Sequence, residues 1–146
     1  MKKILARFAA AAARMFAAGC AHLDTTPDAP ADRVLTGTVV IVPARPDGAP
    51  LPPDTVVIVR IVDVASDRTA LANVLGEQEI KNPGVQPLDF RIEYRVEDAV
   101  LRRQVNLEAR ISIGGKLAYY SHLAHPILPA NAGSPHRIAV EPASSR

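Results

Sequence analysis

Strict alternation of apolar and polar residues constrains this chain more than any other feature. In "PLDFRIEYRV" (87–96), Leu88, Phe90, Ile92, Tyr94 and Val96 fall on one face and Asp89, Arg91, Glu93 and Arg95 on the other. "VNLEARISI" (105–113) repeats the pattern, with Val105, Leu107, Ala109, Ile111 and Ile113 inward and Asn106, Glu108, Arg110 and Ser112 outward. A period of two belongs to a strand, because successive side chains point to opposite faces of a sheet. One wet face per strand is the mark of an antiparallel sheet.

Other segments fit the same scheme. "VLTGTVVIV" (34–42) and "TVVIVRIVD" (55–63) are dense in β-branched residues and read as well-buried strands. "NVLGEQEI" (73–80), "KLAYYS" (116–121) and "HRIAVEP" (136–142) are weaker strand signals. Between them, "PDG" (46–48), "LPPD" (51–54) and "NPG" (82–84) carry turn chemistry, and Gly114–Gly115 suits the type I′ turn of a hairpin. "VEDAVLRRQ" (96–104) has room for one turn of helix. The 13 prolines argue against a helical fold. At 146 residues the chain suits one domain. The fold class expected is all-β: a single small antiparallel β-sandwich of about seven strands, or a partly open barrel, spanning 34–142, with 143–146 a disordered C-terminal tail.

The first residues have a different character. "MKKILAR" is a short basic start and "FAAAAARMFAAG" a small-residue apolar stretch, which together read as an export signal over 1–19. The stretch from Phe8 to Gly19 is 12 residues long, and Arg14 interrupts it, whereas a membrane-spanning helix needs roughly 20 apolar residues. The polar, proline-rich "AHLDTTPDAPADR" then reads as a tether, so that 20–33 forms the lipidated N-terminus and linker. Cys20, the one cysteine, follows the small residues Ala17, Ala18 and Gly19, as in a bacterial lipobox, where the thiol receives a diacylglycerol before a peptidase cuts. The competing readings are a secreted protein cut at an Ala-x-Ala-like site, or an incidental buried cysteine. A lone thiol cannot form an internal disulfide, and acylation gives it a use in an oxidising compartment. With Ala21 rather than an acid after Cys20, the expected destination is the outer membrane, facing the periplasm.

The order of three segments resembles the YbaY-like lipoproteins, which belong with the YscW-type lipoproteins. These are "LPPDTVVIVRIVDVA" (51–65), "GEQEIKNPGVQPLDFRIEY" (76–94) and "ARISIGGKLAYYSHLAHPIL" (109–128). The marks are Leu-Pro-Pro-Asp before a strand ending in Asp63, the Pro87-x-x-Phe90 strand start, the Gly-Lys-Leu hairpin exit and a late Pro-Ile-Leu. His125, before Pro126, stands where this resemblance leads one to expect an aromatic. The resemblance covers roughly 35–141 and implies an all-β sandwich, an outer-membrane lipoprotein and, in some members, piloting of a type III secretion secretin.

Catalytic chemistry is hard to assemble from this sequence. His122 and His125 have a spacing that would serve a metal on a helix, but Pro126 and Pro129 disfavour a helix and no Cys or carboxylate completes a ligand set, so both read as solvated loop histidines. Glu77 and Glu79 share a strand face and read as a charged, exposed surface rather than a proton-sharing pair. Ser112 lacks a nucleophile elbow, and nothing favours a triad from Ser121, Asp63, Asp67 and the histidines. No catalytic, cofactor or metal site is expected; Cys20 is the one site residue, for lipidation. Of the 17 Lys and Arg, four lie before Cys20 among no acids, which leaves 13 bases against 15 acids and no basic face for nucleic acid. The function expected is a non-catalytic adaptor or chaperone that is held to the membrane by its lipid and binds an envelope protein, secretin-like in the pilot reading. The alternative is a periplasmic small-ligand binder or hydrolase on a β-scaffold. "HPILPANAGSP" (125–135) marks a place where a sheet edge is either left open to a partner or protected from aggregation.

Overall fold

The computed structural model describes residues 31–45, 48–64 and 74–144. The export signal, Cys20 and the tether as far as residue 30 lie outside the described residues, as do Asp67 and the last two residues. Seven strands and one helical turn follow in order: β1 (Ala31–Ile41), β2 (Thr55–Asp63), β3 (Val74–Lys81), β4 (Leu88–Val96), α1 (Asp98–Leu101), β5 (Val105–Ile113), β6 (Lys116–Tyr120) and β7 (His136–Pro142).

The alternating segments form strands because each can bury one face. In β4 and β5 the inward residues Phe90, Ile92, Tyr94, Leu107, Ala109 and Ile111 are buried, and Arg91, Glu93, Glu108 and Arg110 are exposed. β2 behaves in the same way, with Val57, Val59 and Ile61 buried and the intervening residues half-buried, so it is less enclosed than its β-branched run suggests. The β5–β6 turn is two residues long, and Gly114 and Gly115 have φ of 57° and 77°, the positive values a type I′ turn requires.

The strand order is β3-β2-β5-β6-β7-β1-β4. β2 pairs antiparallel with β3 and β5, β5 with β6, and β1 with β4 from Ala31↔Val96 to Val39↔Leu88. β7 joins the two groups. Its first residues run parallel to β1, from Gly37↔His136 to Ile41↔Val140, and its last two pair antiparallel with Tyr119 and Tyr120 of β6. The all-β class and the seven strands expected from the sequence are borne out, and of the two architectures expected the molecule takes the barrel-like one, a single nearly closed sheet. One detail differs: the sheet is not antiparallel throughout, because the first and last strands run in the same direction and become neighbours across a long connection.

One boundary differs from the sequence reading, and of two readings left open for the late loop the structure selects one. β1 starts at Ala31, three residues inside the stretch assigned to the tether, and cross-strand pairing with β4 holds it there: Arg95 Nε lies 2.8 Å from Asp32 Oδ1, and Arg33 Nε donates to Val96 O at 3.1 Å. The proline-rich late segment protects an edge rather than leaving one open. Ser121 N donates to Ala109 O (2.9 Å), Leu107 N to His125 O (2.9 Å) and Ile127 N to Val105 O (2.8 Å), so residues 121–127 cover the side of β5 that the short β6 does not reach. Ile127 and Leu101, both fully buried, close the core.

Because Leu107 is fully buried on β5, an interior strand, and Glu108 is exposed beside it, Leu107→Ala should cost roughly 2–5 kcal/mol in urea unfolding. Glu108→Ala should stay within about 0.5 kcal/mol. Equal losses would mean the register of β5 is wrong.

Candidate functional site

β3 and β4 are the two ends of the strand order, and they lie against each other with no ladder between them among the described residues. Side chains close part of this seam. Gln78 Oε1 accepts the backbone N–H of Arg91 at 2.6 Å, doing for one residue what a neighbouring strand would do. At Gly76 the chain passes over inward residues of β4, so close that a Cβ would lie 2.8 Å from Ile92 Cγ2 and 2.9 Å from Tyr94 Cβ. A glycine inside a strand pattern often marks such an approach.

Beyond Gly76, toward Val74, the seam opens. A cleft of about 540 Å³ is lined by Asp32, Arg33 and Val34 of β1, Leu75 of β3, and Glu93, Tyr94 and Arg95 of β4. A second depression of about 410 Å³ shares Leu75 and Arg95 with it and continues to Asp63, Val100 and Arg103. Both are open to solvent. The rim charges are paired: Arg95 with Asp32, Arg33 with Asp98, Arg91 with Glu93, and Arg103 with Asp63 at 3.9 Å. The floor is different. Tyr94 is only 5% exposed, and its hydroxyl is buried without a hydrogen-bond partner. Burial raises the pKa of this phenol above the ordinary tyrosine value, and the nearby positive charge of Arg33 pulls the other way.

The residues singled out in the sequence are scattered rather than gathered. Glu77 and Glu79 are both exposed on β3, paired with Arg60 and with Lys81 respectively. Asp63, 7% exposed, ends β2 at the second depression. Ser112 lies half-buried in β5, and Ser121 Oγ accepts the N–H of Ala109 at 3.0 Å. His122 is exposed and its ring lies against that of Tyr120, with centroids 3.8 Å apart and the planes tilted by 40°. His125 corrects the solvated-loop reading: it is half-buried and its Nε2 lies 3.0 Å from Nδ1 of His136. Among the described residues no group of three or more His, Cys, Asp or Glu is placed to hold a metal ion. None of them is long and apolar enough, as a helix, to cross a membrane. Sequence reasoning missed the seam, although Gly76 in the middle of "NVLGEQEI" was its signal.

The comparisons with known proteins bear on the family and the fold. A family model described as type III secretion system lipoprotein chaperone (YscW) matches residues 30–140. The chain belongs to the YscW family. This YscW-family chain also resembles a solved structure, an alternative pilotin from the type II secretion system of Vibrio cholerae, with a TM-score of 0.62 and 24% identity. The match covers 79% of this chain and 100% of that one, and at such identity it shows a shared fold. Among curated protein sequences no significant match is found. The strand-by-strand resemblance to YscW-type lipoproteins read from the sequence is thereby borne out.

An unpartnered buried hydroxyl costs folding free energy, of order 1–3 kcal/mol. Tyr94→Phe in this YscW-family protein should therefore leave stability unchanged or raise it by up to about 2 kcal/mol in urea unfolding. A loss of more than about 1 kcal/mol would mean that the hydroxyl has a partner in the free protein.

Proposed function

We propose that this protein is a lipid-anchored adaptor of the outer membrane that chaperones or pilots a secretin-type envelope protein, without catalysis, by seating a segment of that partner in the β3–β4 seam. Membership of a family of secretion-system lipoprotein chaperones supports the class of function. The pilotin likeness in fold supports the kind of partner. The observation that carries the binding site is the opening of the seam over Tyr94. A polypeptide laid there meets apolar surface from Val34, Leu75 and Val100, with Tyr94 among the residues that line the cleft. The flanking ion pairs are partly exposed and individually weak, so exchanging them for charges of a partner costs little.

The anchor belongs to the same proposal. Cys20, cut free of the signal and acylated, would hold the domain to the membrane with several chains, where a single one anchors only marginally. From Cys20 to Ala31 the chain reaches at most about 40 Å even when fully extended. Ala31 pairs with Val96 beside the cleft, so the open part of the seam is the part nearest the anchor.

Mass spectrometry of the mature amino terminus should find an acylated Cys20; an unmodified cysteine or a retained Met1 would sink the anchor. Val34→Ser should reduce co-purification of a secretin from envelope extracts by about tenfold, the size expected for removing one central apolar contact, while the melting temperature changes little because Val34 is exposed. Cys20→Ala should leave the domain folded and abolish function by mislocalising it. Full rescue of a deletion by soluble Cys20→Ala would refute the anchored-adaptor reading in favour of a diffusible activity.

A further inference from the structure

We propose that His125 and His136 form a pH-operated latch that holds the late loop, residues 121–135, over the uncovered side of β5 and releases it in acid. The latch is independent of the pilot reading. It rests on two imidazoles that face each other at the corner where β7 begins.

The tautomers follow from the partners. His136 is 6% exposed, and its Nε2 lies 3.1 Å from the carbonyl oxygen of Asn131. A carbonyl can only accept, so the proton is on His136 Nε2 and Nδ1 carries a lone pair. That lone pair faces His125 Nε2 at 3.0 Å, which must then be the donor. Asn131 completes the assembly: its Oδ1 accepts from Leu128 N at 2.7 Å and its Nδ2 donates to Pro126 O at 3.1 Å. Beside the pair, Leu107 N bonds His125 O and Ile127 N bonds Val105 O, which seals the strand edge beneath.

This arrangement accepts one proton and not two. A first proton can enter at His125 Nδ1, which leaves the Nε2–H bond to His136 in place. A second must enter at His136 Nδ1, where it would put two N–H groups head to head between two cations. Among the described residues no acid faces the pair to offset them. On β1, Gly37 is opposite His136 and brings no side chain, while Asp32 and Arg33 lie at the far end of that strand, paired with β4 and α1. Glu108 and Arg110 of β5, Lys116 of β6, and Arg137 and Glu141 of β7 are all exposed. His122, the loop's other titratable side chain, lies against the ring of Tyr120 instead.

The electrostatics agree with the geometry. Burial lowers the pKa of both imidazoles, and each is further affected by one neighbour: His136 lowers that of His125, while the bond to Asn131 opposes the shift of His136. In the open loop each imidazole is in water with a value near the ordinary 6.5. The closed loop therefore holds fewer protons than the open one once the pH falls below that value. Its stability is complete above about pH 6.5 and is lost as the pH drops, by up to about tenfold in the opening equilibrium per pH unit for each proton.

Amide hydrogen exchange on the full chain tests this. Protection of the Leu107 and Ile127 amides, corrected for intrinsic exchange, should fall at least about tenfold between about pH 7.5 and about pH 5, while Val57 and Val59 keep theirs. In His125→Gln the fall should shrink to within about threefold, because the amide of Gln can rotate to offer His136 either a donor or an acceptor. The proposal is overturned if native protection is independent of pH, if the glutamine variant loses it equally, or if every strand loses it together. Should that variant fail to fold, an NMR titration of the native imidazoles decides. Two coupled steps, one well below the ordinary value, support the latch; two independent titrations near 6.5 overturn it.

Discussion

At Gly37 the first strand passes beneath the start of the last: a Cβ there would lie 2.2 Å from the carbonyl oxygen of His136 and 2.7 Å from Phe90 Cζ. Only a residue without a side chain lets β7 approach β1 so closely. That approach makes one sheet out of two groups of strands. β1 and β4 would otherwise form an isolated ribbon, and β3, β2, β5 and β6 a separate sheet. β7 serves both, spending His136–Val140 on β1 and its last two residues on β6. The core depends on the join, since Leu35, Val39 and Ile41 from one group pack in a single cluster with Val57, Val59, Leu107 and Ile111 from the other.

Closing one corner with a strand leaves the opposite corner to side chains. The seam between β3 and β4 has an edge strand on each side, a liability in any sheet because unpaired backbone groups invite other chains. The solution differs along its length. Exposed charges at Glu77, Glu79 and Lys81 guard β3, the Gln78 amide satisfies Arg91, and Gly76 lets the backbones touch. Past Gly76 these devices end, and the surface passes from paired rim charges to a buried hydroxyl that nothing satisfies. The fold is complete along most of the seam and incomplete in one place, which is what a site for a second polypeptide requires.

Local features were legible in the sequence, and long-range ones were not. The faces of β4 and β5 follow from a period of two over nine residues each, and the hairpin from Gly114–Gly115, because both depend on neighbours a few positions apart. The pairing of β1 with β7 joins residues about a hundred positions apart, and its one local trace is Gly37, which reads equally well as an ordinary turn-prone residue. From the sequence His125 reads as a solvated histidine for the same reason: its partner stands on another element, beyond any spacing rule. The family marks around Pro87, Phe90 and Gly114 helped where periodicity could not, since their order carries topology that no single strand contains.

The two corners of the barrel are therefore held by forces of different kinds. Around β7 the closure is backbone hydrogen bonding and apolar packing, neither of which titrates, yet the loop beside it is fastened by two imidazoles that do. At the seam the closure is close packing at Gly76 and one amide bridge, which do not respond to acid, while the cleft beyond is bordered by carboxylate–guanidinium pairs that salt screens. A partner in the seam would thus be sensitive to ionic strength, and the edge of β5 to pH. The same sheet can have one face of its rim altered without loosening the other, because the strands between them, β2 and β5, are fixed by a nine-residue ladder that both corners share.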